Sequence, residues 1–507
     1  MAHTWNEDRA RKRVEARLNE VETVTIADWK RDLSLENIPR NKAYRVDGVH
    51  LYADILNLGE MLRCTDTEGE TCHKRTLRFL NQHYRAVERI LNDCDMRRVD
   101  FANQRLHALV TKPYDGEAMR VHRAVATAQL IIDVLAETGD DHEHVADAVV
   151  RVGIDTGRTL AVNNGRSGNR EPLFLGPAAN HAAKRAAGGT EAGIFLTNEA
   201  REAIGLKRVR EADLDTTPLT ALEVKVSQDE ADLGTSKDDI VRKWRNDLKD
   251  NPIGDFVFSG HTPPMRNLNF AALTPGNSRR QDALSLYADL DGFTRYVARH
   301  IDDDPEDVVR AMHIIRSELE AVLSTEFDGR RVRFIGDCIH GLMAEGTAQT
   351  TDSEASVSDA VLCTGALRSS FSLCLEMLGE EGVDTAGLGL AIGLEYGPMT
   401  ATRLGLKGSR TRCSVSRGVL ASEQEQARCS GRETAIGQTA YGKATDAVKG
   451  LFDKSRKATD LTYAKAMRVM TTDGDKTAKA AERVEAGLVR PAVAATFGLE
   501  RRPFCGA

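Results

Sequence analysis

Two rhythms alternate along the chain. Short apolar runs that end on an acid or a glycine predict strands, and longer stretches with apolar residues every three or four positions predict amphipathic helices. A charged helix is expected from Asn6 to Glu20, followed by a loop. The first clear strand is Val49-His50-Leu51-Tyr52-Ala53-Asp54-Ile55, and Leu284-Ser285-Leu286-Tyr287-Ala288-Asp289-Leu290 is a near copy of it.

The copy extends in step. In the first half, a helical stretch from about Lys74 to Asn92 leads to Arg98-Val99-Asp100-Phe101-Ala102-Asn103-Gln104. In the second, a helix from about Glu306 to Thr325 leads to Arg331-Val332-Arg333-Phe334-Ile335-Gly336-Asp337. Both of these segments predict β-hairpins, at spacings of 50 residues from Asp54 to Gln104 and 48 from Asp289 to Asp337. Strands follow at Val149–Gly157 and Leu388–Gly397, then helices opening near Gly176-Pro177-Ala178-Ala179-Asn180 and Gly418-Val419-Leu420-Ala421-Ser422. Matching landmarks in one order predict an α+β protein with two diverged copies of one domain.

The boundaries expected are a helical N-terminal segment at 1–43, a first domain at 44–232, a linker at 233–280, a second domain at 281–453 and a helical C-terminal segment at 454–507. The linker reading rests on Pro252, Pro263, Pro264, Pro275 and the glycines around them. The C-terminal one rests on the Ala, Lys, Arg and Glu content after Lys454.

Charge narrows the function classes. With 69 basic and 76 acidic residues the net charge is −7, which argues against a nucleic-acid binder that relies on bulk positive charge. A polyanionic substrate would need metals or a few placed cations. No apolar run approaches a membrane span, the N-terminus lacks the apolar core of a secretion signal, and the nine cysteines form no Cys-x-x-Cys pair. No membrane partner and a reducing cytoplasm are therefore expected. Cys64, Cys72 and His73 lack a second ligand pair and are not read as a metal site.

Asp289 and Asp337 each end a strand or sit at its bend, and two carboxylates on neighbouring strands can hold two divalent ions that clamp a phosphoryl transfer. The carbonyl of Leu290 adds a candidate ligand, and the amides of Gly292-Phe293-Thr294, at a turn opening a helix, are candidates for phosphate oxygens. Either acid alone would be read as structural.

Tyr287-Ala288-Asp289-Leu290-Asp291-Gly292-Phe293-Thr294 together with Phe334-Ile335-Gly336-Asp337-Cys338 resembles the paired metal motifs of class III nucleotide cyclases. The resemblance implies two cyclase domains packed head to tail as an internal pseudo-dimer, with Mn²⁺ or Mg²⁺ as cofactor and a nucleoside triphosphate as substrate. In that family one domain carries the metal acids. The other carries base-reading residues, an Asn that orients the ribose, and a cation four positions on that stabilises the transition state. The second domain keeps Asp289 and Asp337, while the first has Asp54 but Gln104 in place of the second acid. The first domain keeps Asn180 and Lys184, with Arg185 beside it as an alternative cation, where the second is matched as Ser422 and Gln426. The losses are complementary, so one pairing of halves makes a complete site and the other an empty one. Arg410, with Lys407 as alternate, falls where the family's metal-bearing domain places a triphosphate-binding arginine.

The family's adenine-reading Lys and Asp correspond to Asp100 and Leu173. An ionised carboxylate donates no hydrogen bond, so adenine is disfavoured and uracil, guanine and cytosine remain open. The segments Phe256–Pro264 and Leu273–Arg280 are similar to bacterial pyrimidine cyclases of anti-phage defence. That likeness implies UTP first and CTP second, with a product that alerts a separate effector. The rival from another class is a regulatory module that binds nucleotide without reacting. A further homodimer is left open.

Overall fold

The computed structural model describes residues 2–31, 33–139, 144–163, 172–347 and 349–487. Its strands in chain order are β1 (Thr25–Asp28), β2 (Lys42–Ile55), β3 (Arg97–Ala102), β4 (Arg105–Val110), β5 (Val150–Val162), β6 (Leu173–Leu175), β7 (Gly193–Leu196), β8 (Phe258–Ser259), β9 (Ser278–Asp291), β10 (Arg330–Ile335), β11 (Cys338–Met343), β12 (Glu345–Gly346), β13 (Thr351–Asp352), β14 (Gly389–Leu404), β15 (Thr411–Cys413), β16 (Glu433–Ile436) and β17 (Lys457–Thr459).

Two sheets repeat one plan. The first runs β3-β4-β2-β5-β6 with β7 parallel to β5, and the second runs β10-β11-β9-β14-β16-β17. In each, the strand ending in the first acid sits centrally between a hairpin and a long antiparallel partner, so its alternate residues meet helices on one face. Tyr52 pairs with Gly153 and Tyr287 with Gly393, which fixes the register of one copy against the other.

The periodicity located the helices and misjudged their ends. The stretch at 74–92 is the helix Glu70–Asp93, and that at 306–325 is Pro305–Ala321 extended by a π-helical turn, Val322–Glu326. Asn6 caps the first helix, Glu7–Glu20, by accepting from the Arg9 N–H.

Several segments differ from the sequence expectations. The N-terminal helix packs on the second unit, where Arg13 pairs with Glu318 at 2.6 Å and Trp5 donates to Ser370 at 2.7 Å. Its amphipathic face shows only that it must be buried, not against which domain. The 233–280 segment opens with the helix Lys237–Asp250, whose Trp244 is fully buried and donates to the Gln82 carbonyl in the first unit. Beyond it, Met265, Phe270 and Leu273 form a small core with Tyr287 and Val332. The C-terminal segment contributes β17 before its helices Tyr463–Thr472 and Lys476–Glu485. Helix Ser353–Glu380 is long and apolar enough to pass for a membrane span, contrary to the sequence reading, but most of it is buried inside the second unit.

Candidate active site

β9 delivers Asp289 to the rim of the second sheet, opposite Cys338 of β11 in the ladder that pairs Ala288 with Ile339. Gly292 then turns the chain into the helix Phe293–His300. Its φ is 79°, and a Cβ there would lie 2.2 Å from the Gly387 carbonyl oxygen, so glycine is required. Gly336 and Asp337 form the tight turn of the β10–β11 hairpin, closed by the Ile335–Cys338 pair. The Leu290 N–H lies near enough to the Asp337 carboxylate to favour its charged form.

Both acids are held above the ordinary carboxylate range. Burial, then Asp291 and Glu423, push Asp289 up to about 6. Burial, then Asp289, push Asp337 well up, against partial relief from Arg316 and the Leu290 N–H. Two clustered carboxylates with unmet negative charge are a hard-oxygen donor set suited to Mg²⁺ or Mn²⁺.

The helix Pro177–Ala187 of the first unit lies across β5 at Gly153, where a Cβ would sit 2.1 Å from the Ala182 carbonyl oxygen. The helix Arg417–Ala427 crosses β14 at Gly393 in the same way, with Ser422 and Gln426 in the places of Ala182 and Ala186. This corrects the matching made from sequence. Asn180 stands opposite Leu420 and Lys184 opposite Gln424, two residues from Ser422 and Gln426. Ser422 instead donates to Ser285 at 2.7 Å, and Gln426 donates to Asp289 at 3.4 Å, both within the second unit. The complementarity survives the shift, since a leucine cannot bind a ribose oxygen and a glutamine carries no charge.

The two units share buried space on the metal-acid side. A Cβ on Gly176, at the N-cap of the helix Pro177–Ala187, would approach Ile301 of the second unit at 3.3 Å. Tyr52 stacks on His107 with ring centroids 4.1 Å apart, and burial pushes its hydroxyl up, with Asp100 of the first unit and Asp337 of the second adding to the effect. A candidate base-reading acid of one unit and a candidate metal acid of the other thus both act on the hydroxyl of one tyrosine. Tyr52 was not singled out from sequence. It sits inside the repeated Leu-Tyr-Ala-Asp core, where the acid drew the chemistry.

Asp100 forms an ion pair with Arg333, which occupies the equivalent position in the second unit. Leu173 adjoins Phe174, whose ring meets His50 at 5.3 Å and His107 at 6.0 Å, while Asp100 pairs with His107 in the ladder. The two candidate base readers therefore flank one aromatic cluster. Lys184 is exposed, whereas Arg185 is committed to Asp215 at 3.2 Å. Phe293 is buried at 4% exposure and Thr294 half-buried at the start of its helix. Arg410 and exposed Lys407 lie on the β14–β15 hairpin, which docks against the helix Glu70–Asp93 through the Gly405–Asn81 bond of 2.7 Å. The charges facing Arg410 are Arg403 and Arg85, and Cys413 of that hairpin reaches Asn103. This places both residues on the Gln104 side of the interface rather than with Asp289 and Asp337. Arg316, which sequence reasoning passed over, is a buried cation beside Asp337 and stacks on Phe334 at 3.7 Å. His73 is fully engaged by Glu68 at 3.0 Å and Arg280 at 3.0 Å.

Residues 44–232 match the family model for the adenylate and guanylate cyclase catalytic domain. The chain is 59% identical over 485 residues to a uridylate cyclase from Pseudomonas aeruginosa, covering 95% of this chain and 94% of that one. It is 39% identical over 454 residues to a uridylate cyclase from a Rhizobium species, covering 86% of each. A crystal structure of a class III adenylyl cyclase-like ATP-binding protein from Pseudomonas aeruginosa superposes with a TM-score of 0.91 at 59% identity, covering 93% of this chain and all of that one. With both sheets built on one plan and a relative this similar along almost its full length, the chain belongs to the class III nucleotide cyclase superfamily, within its uridylate cyclase family.

Proposed function

We propose that the chain converts UTP to 3′,5′-cyclic UMP and pyrophosphate in one cleft between its two units. The observation that carries this reading is the division of labour. Asp289 and Asp337 survive in one unit and Asn180 and Lys184 in the other, and the charges of Asp100 and Asp337, one from each unit, both act on Tyr52. The uridylate cyclase relatives support UTP as the base choice.

Asp289, Asp337 and the Leu290 carbonyl are the residues that would hold Mn²⁺ or Mg²⁺. When bound there, such ions would supply Lewis acidity to the ribose 3′-hydroxyl and offset triphosphate charge. Asn180 orients the ribose so that its 3′-oxygen lies in line with the α-phosphorus. The 3′-hydroxyl gives its proton to solvent, the 3′-O–P bond forms, the bond to the β-phosphate oxygen breaks, and pyrophosphate leaves with the electron pair. Lys184 meets the charge growing on the α-phosphate, since the Arg185 guanidinium is spent on Asp215. The amides of Gly292, Phe293 and Thr294, at a helix start, take phosphate oxygens. Asp100 accepts from uracil N3–H, with Leu173 against the base. Triphosphate roles for Lys407 and Arg410 would need a different hairpin position from the one seen. The product serves a separate cyclic-nucleotide effector in antiviral defence in the cytoplasm.

The test is product analysis of the purified chain with Mn²⁺ and each of the four ribonucleoside triphosphates. Cyclic UMP as main product upholds the reading, cyclic CMP or cyclic GMP would move the base assignment, and no cyclic product from any of them would favour a binding module.

A further inference from the structure

The internal pseudo-symmetry implies a second cleft, and the side chains found there are not those of an unused copy. The Asp54–Arg105 ladder pair of the first sheet corresponds to Asp289–Cys338 of the second. The helix crossings at Gly153 and Gly393 match Ala182 with Ser422, so Ala183 corresponds to Glu423. At the metal-acid cleft the two facing positions therefore hold Cys338 and Ala183, short side chains that carry no charge to pair across the gap. At the other cleft they hold Arg105 and Glu423. Arg105 donates to Asp54 at 3.2 Å and to Glu423 at 2.5 Å, joining the units.

We propose that Arg105 is a built-in cation that stands where the degenerate cleft would otherwise take a metal ion, sealing that cleft so that the chain loads metal and nucleotide at one site only. The seal bonds the same first acid of the motif that binds metal in the other copy, and it takes its second carboxylate from the opposite unit. Gln104 supplies no second acid at the turn, so the loss of one carboxylate and the gain of one guanidinium act together. Burial supports this. Asp54 is 7% exposed, and an unpaired carboxylate at that depth would be costly. The same bridge spans the interface and helps hold the register in which the open cleft is formed. The inference rests on the metal reading of Asp289 and Asp337.

The test counts Mn²⁺ bound per full-length chain, by electron paramagnetic resonance titration with a non-cyclisable UTP analogue, and needs no turnover. Asp289→Ala/Asp337→Ala should abolish tight Mn²⁺ and analogue binding, because the sealed cleft offers nothing. Retention of a tight Mn²⁺–analogue complex by that variant would overturn the proposal. Gln104→Asp/Arg105→Cys supplies the second acid and removes the guanidinium while leaving Glu423, which also acts on Asp289, in place, and should bind at least one more Mn²⁺ than wild type. A folded double variant with the wild-type count also overturns it. Arg105→Lys keeps the charge and should keep the wild-type count. If the chain proves inactive on UTP while these counts hold, the substrate reading fails and the seal stands.

Discussion

Asp289 illustrates how a buried carboxylate set beside other carboxylates weakens the fold. Burial and the neighbouring Asp291 and Glu423 raise its carboxyl from 3.8 to about 6. The native state therefore holds this proton more tightly than the unfolded chain does. Between pH 3.8 and about 6 the native state binds more protons, so stability falls as pH rises through that window. A shift of roughly two units corresponds to about 3 kcal/mol, fully developed above pH 6 and absent below the unfolded value. Replacing the acid with its uncharged isostere removes the penalty. In EDTA at pH 7.5, Asp289→Asn is expected to unfold at higher denaturant concentration than wild type by up to about 3 kcal/mol, with the gain vanishing near pH 4. Saturating Mn²⁺ should reverse the order by stabilising wild type and leaving the variant unchanged. Urea unfolding followed by circular dichroism, with and without metal at both pH values, measures all of this. A variant less stable than wild type at pH 7.5 in EDTA, or one stabilised by Mn²⁺ as much as wild type, would refute the reasoning.

Lys184→Ala should lower kcat by ~10²–10³ with a small change in KM, whereas Arg185→Ala should chiefly lower stability through lost Asp215 contact; steady-state kinetics and thermal melts separate the two. Gly153→Val places side-chain atoms where a Cβ is already 2.1 Å from the Ala182 oxygen. It should displace the helix bearing Asn180 and Lys184, read as lost activity and a lowered Tm. His3 is held at 2.9 Å from Asp359; burial opposes its charge, but Asp359 and Asp328 outweigh this and raise it to about 10. Its stabilisation is present below pH 6.5 and lost as pH rises through about 10, so the stability difference between wild type and His3→Ala should shrink over that interval in denaturant titrations. Trp244→Ala should cost about 3–5 kcal/mol, because the side chain is fully buried against the first unit.

The repeat was legible because it is local. Each copy spells a strand into an acid, a hairpin, a strand and a helix, and these follow from periodicity and turn residues near one another in the chain. That was enough to single out Asp289, Asp337, Asn180 and Lys184 as candidates and to expect opposite halves of one apparatus in opposite copies. Matching the late helices residue for residue was beyond the sequence, since only the close approach of backbone at Gly153 and Gly393 sets where each helix lies on its strand. Tertiary packing also decided the partners of charged residues. Arg185 turns to Asp215, Asp100 to Arg333 and Arg105 to Glu423, because a long cation takes whichever carboxylate the fold brings within a few ångströms. Linear spacing holds no record of those distances. The sequence by itself determined which candidate residues each half retains; the fold decided which partners those side chains meet.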